Sequence, residues 1–315
     1  MRFDGLIGNS GVKKTLETPF HAYIIHGPKG SGKHTLERIL TASLVCKSSE
    51  KPCGKCEQCK KFLSGNHVDI SYIPTDIKVR ELREKLKDVF YLPNEAEHRV
   101  FVFYEAEKLT TVCQNTLLKI VEEPPSHAVF IFLTENAGAM LATLRSRCEM
   151  IAMEPVDEKE IYGYLQRPEF AKIPEERKRT AVAFSGGYIG AARAFLSEEK
   201  SETFIKCDRF AKAVLQNRMS DAIKIASFKK RDEMVGFTEE LYLYFTVHLR
   251  SLKKGVSEGL SEEIRLLGQE KLTKLCVSIA KLKENMQFNV NVSLFSAALI
   301  AACREMRPTE TVRNR

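Results

Sequence analysis

Gly27-Pro28-Lys29-Gly30-Ser31-Gly32-Lys33-His34 decides how the first half of the chain is read. In a phosphate-binding loop of the form G-x-x-x-x-G-K-[ST], backbone N–H groups and a helix start cradle the phosphates, the lysine reaches the outer ones, and the last hydroxyl ligates magnesium. Gly27, Gly30, Gly32 and Lys33 fit that pattern, and His34 stands where the hydroxyl belongs. Thr35 follows, but one residue along a helix is a rotation of about 100°, which turns its hydroxyl away. The stretch predicts a nucleotide-binding fold that no longer hydrolyses nucleotide; a glycine-rich turn without ligand is the plain alternative.

The surroundings support a strand before the loop and a helix after it. Ala22-Tyr23-Ile24-Ile25 is an apolar run, and Leu36, Ile39, Leu40 and Leu44 recur at helical spacing. Further apolar runs at residues 70–73, 100–104, 129–133 and 150–153 alternate with helical patterns, the signature of a buried parallel sheet flanked by helices. Val79, Leu82, Leu86 and Val89 mark one such helix, which Pro93 stops. Glu154-Pro155-Val156-Asp157 forms a natural boundary, beyond which three short helical segments and then longer ones follow, with no strand signal. Stripes such as Leu241/Phe245/Leu249 and Leu272/Leu275/Ile279/Leu282 are expected to face a core. The polar tail from Pro308 is expected to fray. The expected class is α/β plus all-α: a Rossmann-like domain over 1–154, a small helical domain over 155–198 and a helical domain over 199–315.

Composition narrows the setting. No apolar run is long enough for a membrane span and no signal-like start is present, so a cytoplasmic protein without membrane contact is expected. Lys plus Arg number 49 against 41 for Asp plus Glu, a net charge of +8 that suits contact with a polyanion without requiring it.

Of nine cysteines, Cys46, Cys53, Cys56 and Cys59 fall within fourteen residues. Four thiols at short spacing, with no histidine among them, suit a closed tetrahedral zinc site; an iron–sulfur cluster and four reduced thiols stay open. The other five are scattered and read as small buried hydrophobes. The run at 100–104 leads into Glu105-Ala106-Glu107. Glu105 stands where a magnesium-side acid belongs, but Ala106 occupies the place of a water-polarising carboxylate, and an ordinary acidic turn is the alternative. Ser146-Arg147-Cys148 puts arginine near the mouth of the expected site, as surface charge or as a group that reaches a phosphate, not necessarily its own.

Several stretches together resemble one family, the bacterial replicative clamp loader subunits, AAA+ proteins of the gamma/tau and delta-prime type. They are His21-Ala22-Tyr23, the phosphate loop, the four cysteines, Asn115-x-Leu117-Leu118-Lys119-x2-Glu122-Glu123-Pro124-Pro125, Thr134, Ser146-Arg147-Cys148 and Ser185-Gly186-Gly187. The resemblance implies an AAA+ domain with a zinc module at 46–59, a helical lid and a helical collar that assembles with gamma/tau and delta subunits into a pentamer. In the family that assembly uses ATP to load the sliding clamp onto primed DNA. Gly27, Gly30, Gly32, Lys33, Thr35, Glu105 and Thr134 match the family's nucleotide site, which would hold ATP and magnesium. The motor subunits carry Thr or Ser at the position of His34, Glu at that of Ala106, and a gamma-phosphate-sensing Arg at that of Gly190. These losses, with Arg147 of the Ser-Arg-Cys motif kept, look like delta-prime: a subunit of the DNA polymerase III holoenzyme with no ATPase activity of its own, supplying an arginine finger in trans. An active gamma/tau-type ATPase and a DNA-binding zinc protein with a vestigial nucleotide fold are the two other readings.

Overall fold

The computed structural model describes residues 6–9, 12, 20–253, 262–286 and 291–305. The tail from Pro308 lies outside the described residues. The chain divides into two compact units, residues 1–164 with 187–190, and residues 165–186 with 191–315.

The first unit runs β1 (Ala22–His26), α1 (Lys33–Val45), α2 (Glu57–Leu63), β2 (Ile70–Ile73), α3 (Val79–Lys87), β3 (Arg99–Phe103), α4 (Thr111–Glu122), β4 (Ala128–Thr134), α5 (Ala142–Arg145), β5 (Glu149–Ala152) and α6 (Glu158–Tyr164). The strands form one sheet in the order β2-β3-β4-β1-β5, and every neighbouring pair is parallel. Because side chains alternate across a strand, each run feeds two cores. Tyr23, Ile25, Val100, Val102, Ile131 and Leu133 pack with α1, whereas Ile24, Phe101, Phe103, Phe130 and Phe132 pack with α3 and α4 on the other face. Phe101 pairs in register with Phe130 and Phe103 with Phe132, and their rings stack at 5.4 and 4.8 Å. Burying each such side chain is worth about 1.5–3 kcal/mol, so this ladder fixes the sheet's centre.

Boundaries differ from the sequence reading by a residue. β3 begins at Arg99, whose N–H reaches the His127 carbonyl, and it stops before Tyr104 because Glu105 adopts a left-handed backbone (φ 45°). β5 likewise ends at Ala152 rather than Met153. α3 stops at Lys87, well before Pro93, and its last turn tightens into a 3-10 turn over Asp88–Phe90.

The described part of the second unit is helical: α7 (Glu175–Phe184), α8 (Ile189–Leu196, whose first two residues belong to the first unit), α9 (Glu198–Leu215), α10 (Met219–Ile225), α11 (Arg231–Lys253), α12 (Glu262–Asn285) and α13 (Val292–Glu305). Its core takes Leu241, Phe245 and Leu249 from α11, Leu272, Leu275 and Ile279 from α12, and Phe295 and Leu299 from α13. The spacings of three and four put each set on one helix face. Among the described residues no helix is long and apolar enough to cross a membrane.

Candidate nucleotide and metal sites

Parallel strands end at one edge of the sheet, and the residues singled out there come from three of them. The phosphate loop follows β1, Glu105 follows β3, and Thr134 ends β4, which lies between the other two. Gly27 donates its N–H to the Thr134 carbonyl at 3.3 Å, but the Thr134 hydroxyl is engaged by the N–H of Asn136 at 3.1 Å. Lys33 is buried and donates to the carbonyls of Gly27 (2.6 Å) and Pro28 (3.1 Å), so its ammonium is held by its own loop. Burial lowers its pKa, against a smaller upward pull from Glu135 and Glu107. Glu105 pairs with Lys108 at 2.7 Å, and the methyl of Ala106 is fully buried. Glu107 accepts the N–H of Glu135 at 3.2 Å, which ties the turn after β3 to the one after β4.

Gly190 sits directly on this loop. Its N–H donates to the Gly30 carbonyl at 3.0 Å, and a Cβ at residue 190 would lie 2.7 Å from that oxygen and 2.8 Å from the Gly30 Cα. No side chain fits there without moving backbone, because real Cβ atoms do not approach within 3.0 Å.

Behind the loop lies a polar group the sequence reading passed over. Glu37 falls within the apolar stripe of α1 and is fully buried; its carboxylate accepts from the Thr41 hydroxyl at 3.0 Å and lies 3.4 Å from the Tyr104 hydroxyl. Burial pushes its pKa up to about 7, against the smaller effects of Thr41, Arg38 and Tyr104. Tyr104 also meets the rings of His34 (5.1 Å) and Tyr72 (5.7 Å). His34 therefore rests on the residue preceding Glu105, and its side chain offers an imidazole where magnesium chemistry uses a hydroxyl. The available signal was an acid at an inward helical position, and Thr35 next to His34 is exposed.

The four clustered cysteines converge. Cys46 caps the C-terminal end of α1 and Cys56 the N-terminal end of α2. All four sulfurs lie within 4.8 Å of one another; Cys46 is 3.6 Å from Cys53 and 3.9 Å from Cys56, and all are free thiols. A tetrahedral ion with metal–sulfur bonds of about 2.3 Å places its sulfurs about 3.8 Å apart, so the spacing fits such an ion and is far too long for disulfides. Backbone N–H groups of Cys53, Lys55, Cys56 and Cys59 point at the sulfurs of Cys46, Cys53, Cys53 and Cys56 at 3.3–3.4 Å, as suits thiolates. The N–H groups of Lys55 and Cys56 draw Cys53 down to about 6, whereas burial pushes Cys59 up to about 12. Ion pairs from Lys51 to Glu97 and Lys61 to Glu95, both 2.7 Å, fasten the module to the loop before β3. Asp69, fully buried, caps that loop through the N–H groups of Asn94, Glu95 and Ala96.

Arg147 stands apart from the phosphate loop's hydrogen bonds. Its Nη2 donates to Glu122 at 2.7 Å and its Nη1 to the Thr143 carbonyl at 2.9 Å, with about a third of the side chain exposed.

Fold and site thus define a parallel-sheet domain with a glycine-rich loop after its first strand and a cysteine cluster that could hold a metal ion. Residues 13–157 match the family described as DNA polymerase III, delta subunit. The DNA polymerase III subunit gamma of Buchnera aphidicola (subspecies Baizongia pistaciae) is 36% identical over 145 residues, 45% of this chain and 39% of that protein. The DNA polymerase III subunit delta-prime of Bacillus subtilis is 24% identical over 95% of this chain and 94% of that one. Among solved structures, a DNA polymerase III gamma subunit-related protein of Thermotoga maritima has a TM-score of 0.45 and 17% identity, over 94% of this chain and 98% of that one. The matches to the Buchnera gamma subunits span less than half of those proteins' length. The chain is similar to clamp loader subunits of the gamma/tau/delta-prime type.

Proposed function

We propose that this chain is a delta-prime-like subunit of the DNA polymerase III clamp loader, without ATP turnover of its own, that contributes an arginine finger to ATP held by a neighbouring gamma/tau subunit. The carrying observation is the loop itself: His34 and Ala106 replace the two reacting groups, and Gly190, at the position of the phosphate-sensing arginine, packs on Gly30 with no room for a side chain. A chain whose own site lacks these groups has use for Arg147 only across an interface. A guanidinium bridges two phosphate oxygens and meets the charge that develops in phosphoryl transfer, as lysine does less well. The similarity to delta-prime along nearly the whole chain supports the same reading.

Within it, Cys46, Cys53, Cys56 and Cys59 hold one structural zinc, residues 155–198 act as an AAA+ lid, and residues 199–315 form the collar that meets gamma/tau and delta subunits. Gly27, Gly30, Gly32 and Lys33, with Thr35, Glu105 and Thr134, are the residues that would hold ATP and magnesium. The partners reached through the assembly are the sliding clamp and primer-template DNA, in the cytoplasm. A second reading, an active gamma/tau-type ATPase, draws on the 36% identity to a gamma subunit over 145 residues; ATP turnover by the isolated chain would favour it.

Reconstitution with gamma/tau and delta partners tests the proposal. Arg147→Ala is expected to leave folding and assembly intact while DNA-stimulated ATP turnover falls about 100-fold or more, in the range of lost transition-state donors. Wild-type turnover and clamp loading with Arg147→Ala would refute it.

A further inference from the structure

Arg147 is not held ready for a phosphate. Both terminal nitrogens of its guanidinium are engaged within the chain, Nη2 by the Glu122 carboxylate at 2.7 Å and Nη1 by the Thr143 carbonyl at 2.9 Å, with the Ser146 hydroxyl also 3.5 Å from Nη1. A carboxylate offers a guanidinium the same pair of oxygens that a phosphate does, so the two compete for one partner.

The location of Glu122 is informative. It is the last residue of α4, where the carbonyl ends of the helix make a carboxylate unfavourable and a cation welcome. Glu123, Pro124 and Pro125 follow, so the chain leaves the helix there and heads for β4. The side chains of Arg147 and Glu122 are 33% and 53% exposed. A pair this open to water is held weakly and can be exchanged, unlike a buried ion pair.

We propose that Glu122 is a positioning residue that latches Arg147 in a resting, self-paired state, which must be exchanged for a neighbour's phosphate before the arginine can act. The latch rests on the arginine-finger reading above. It keeps the finger off ATP in the assembled complex until DNA binding brings a neighbour's phosphates, with more charge than one carboxylate, within reach, and so suppresses turnover in the complex that has not yet met DNA.

The test uses the reconstituted complex with saturating ATP and no DNA. Glu122→Gln keeps shape and removes charge, and is expected to raise turnover about two- to five-fold, the range for releasing a partly exposed ion pair. The gain should shrink as salt rises, because wild type loses the latch by screening. Glu122→Gln combined with Arg147→Ala should match Arg147→Ala alone, a result that loss of structure at Glu122 would not give. If Arg147→Ala lowers turnover while Glu122→Gln leaves it unchanged or lowers it, the latch is overturned and the finger stands. If Arg147→Ala has no effect, the finger fails and the latch with it. Equal melting temperatures for Glu122→Gln and wild type are expected, and a large drop would assign Glu122 to stability instead.

Discussion

Glu37 shows how a single buried acid sets a pH dependence. Its carboxyl titrates near 7 in the fold and near 4.5 when free, so the folded chain holds this proton more tightly than the unfolded one. A raised acid contributes fully below its free value and loses that contribution as pH rises through its folded value. Stability attributable to this residue should therefore fall between about pH 4.5 and pH 7, by an amount on the order of 3 kcal/mol. Glu37→Gln keeps an acceptor for Thr41 and cannot ionise. Its denaturant midpoint should move less than the wild-type midpoint between pH 5 and pH 8, and parallel curves for the two proteins would show that burial of Glu37 is offset elsewhere.

The module formed by the end of α1, the cysteine loop and α2 has little apolar surface of its own. Cys59 and Phe62 are buried there, while Cys53 and Cys56 are partly exposed. A metal ion binding four thiolates would supply the missing stabilisation, since such sites contribute folding free energy directly. Purified under reducing conditions, the chain is expected to carry about one equivalent of zinc, and less than about half an equivalent with no iron would refute the assignment. Cys56→Ser should lower the melting temperature more than Cys276→Ser, whose thiol is a buried group in the helical unit with the Thr246 hydroxyl at 4.0 Å. Acid should release the metal, because protons compete for the sulfurs.

At the scale of the molecule, the proposed function rests on a first unit that carries a phosphate-loop sequence with His34 and Ala106 at the positions of the reacting groups. Each missing donor or base commonly costs a factor of about 100 or more in rate, so the isolated chain should turn over ATP far below about 1 s⁻¹. Restoring two groups with His34→Thr and Ala106→Glu should not rescue it, since Gly190 still occupies the approach to Gly30 and Lys33 stays bonded to its own loop. Steady turnover at or above about 1 s⁻¹ by that double variant would show that the packing of Gly190 yields readily to nucleotide.

Apolar runs alone determined the strands, because buried parallel strands are short apolar stretches whose two faces both need covering, and each such run became a strand within a residue or so of its expected ends. Short-range spacing likewise sufficed for the cysteine cluster, where four ligands within fourteen residues can hardly avoid one another. The contacts that join distant positions were decided only by the tertiary structure. Gly190 against Gly30, Glu107 with the N–H of Glu135, and Arg147 with Glu122 link residues 25 or more apart in sequence. Local propensity carries no signal for such pairs, since strand order and the angle at which each helix leaves the sheet set their distances.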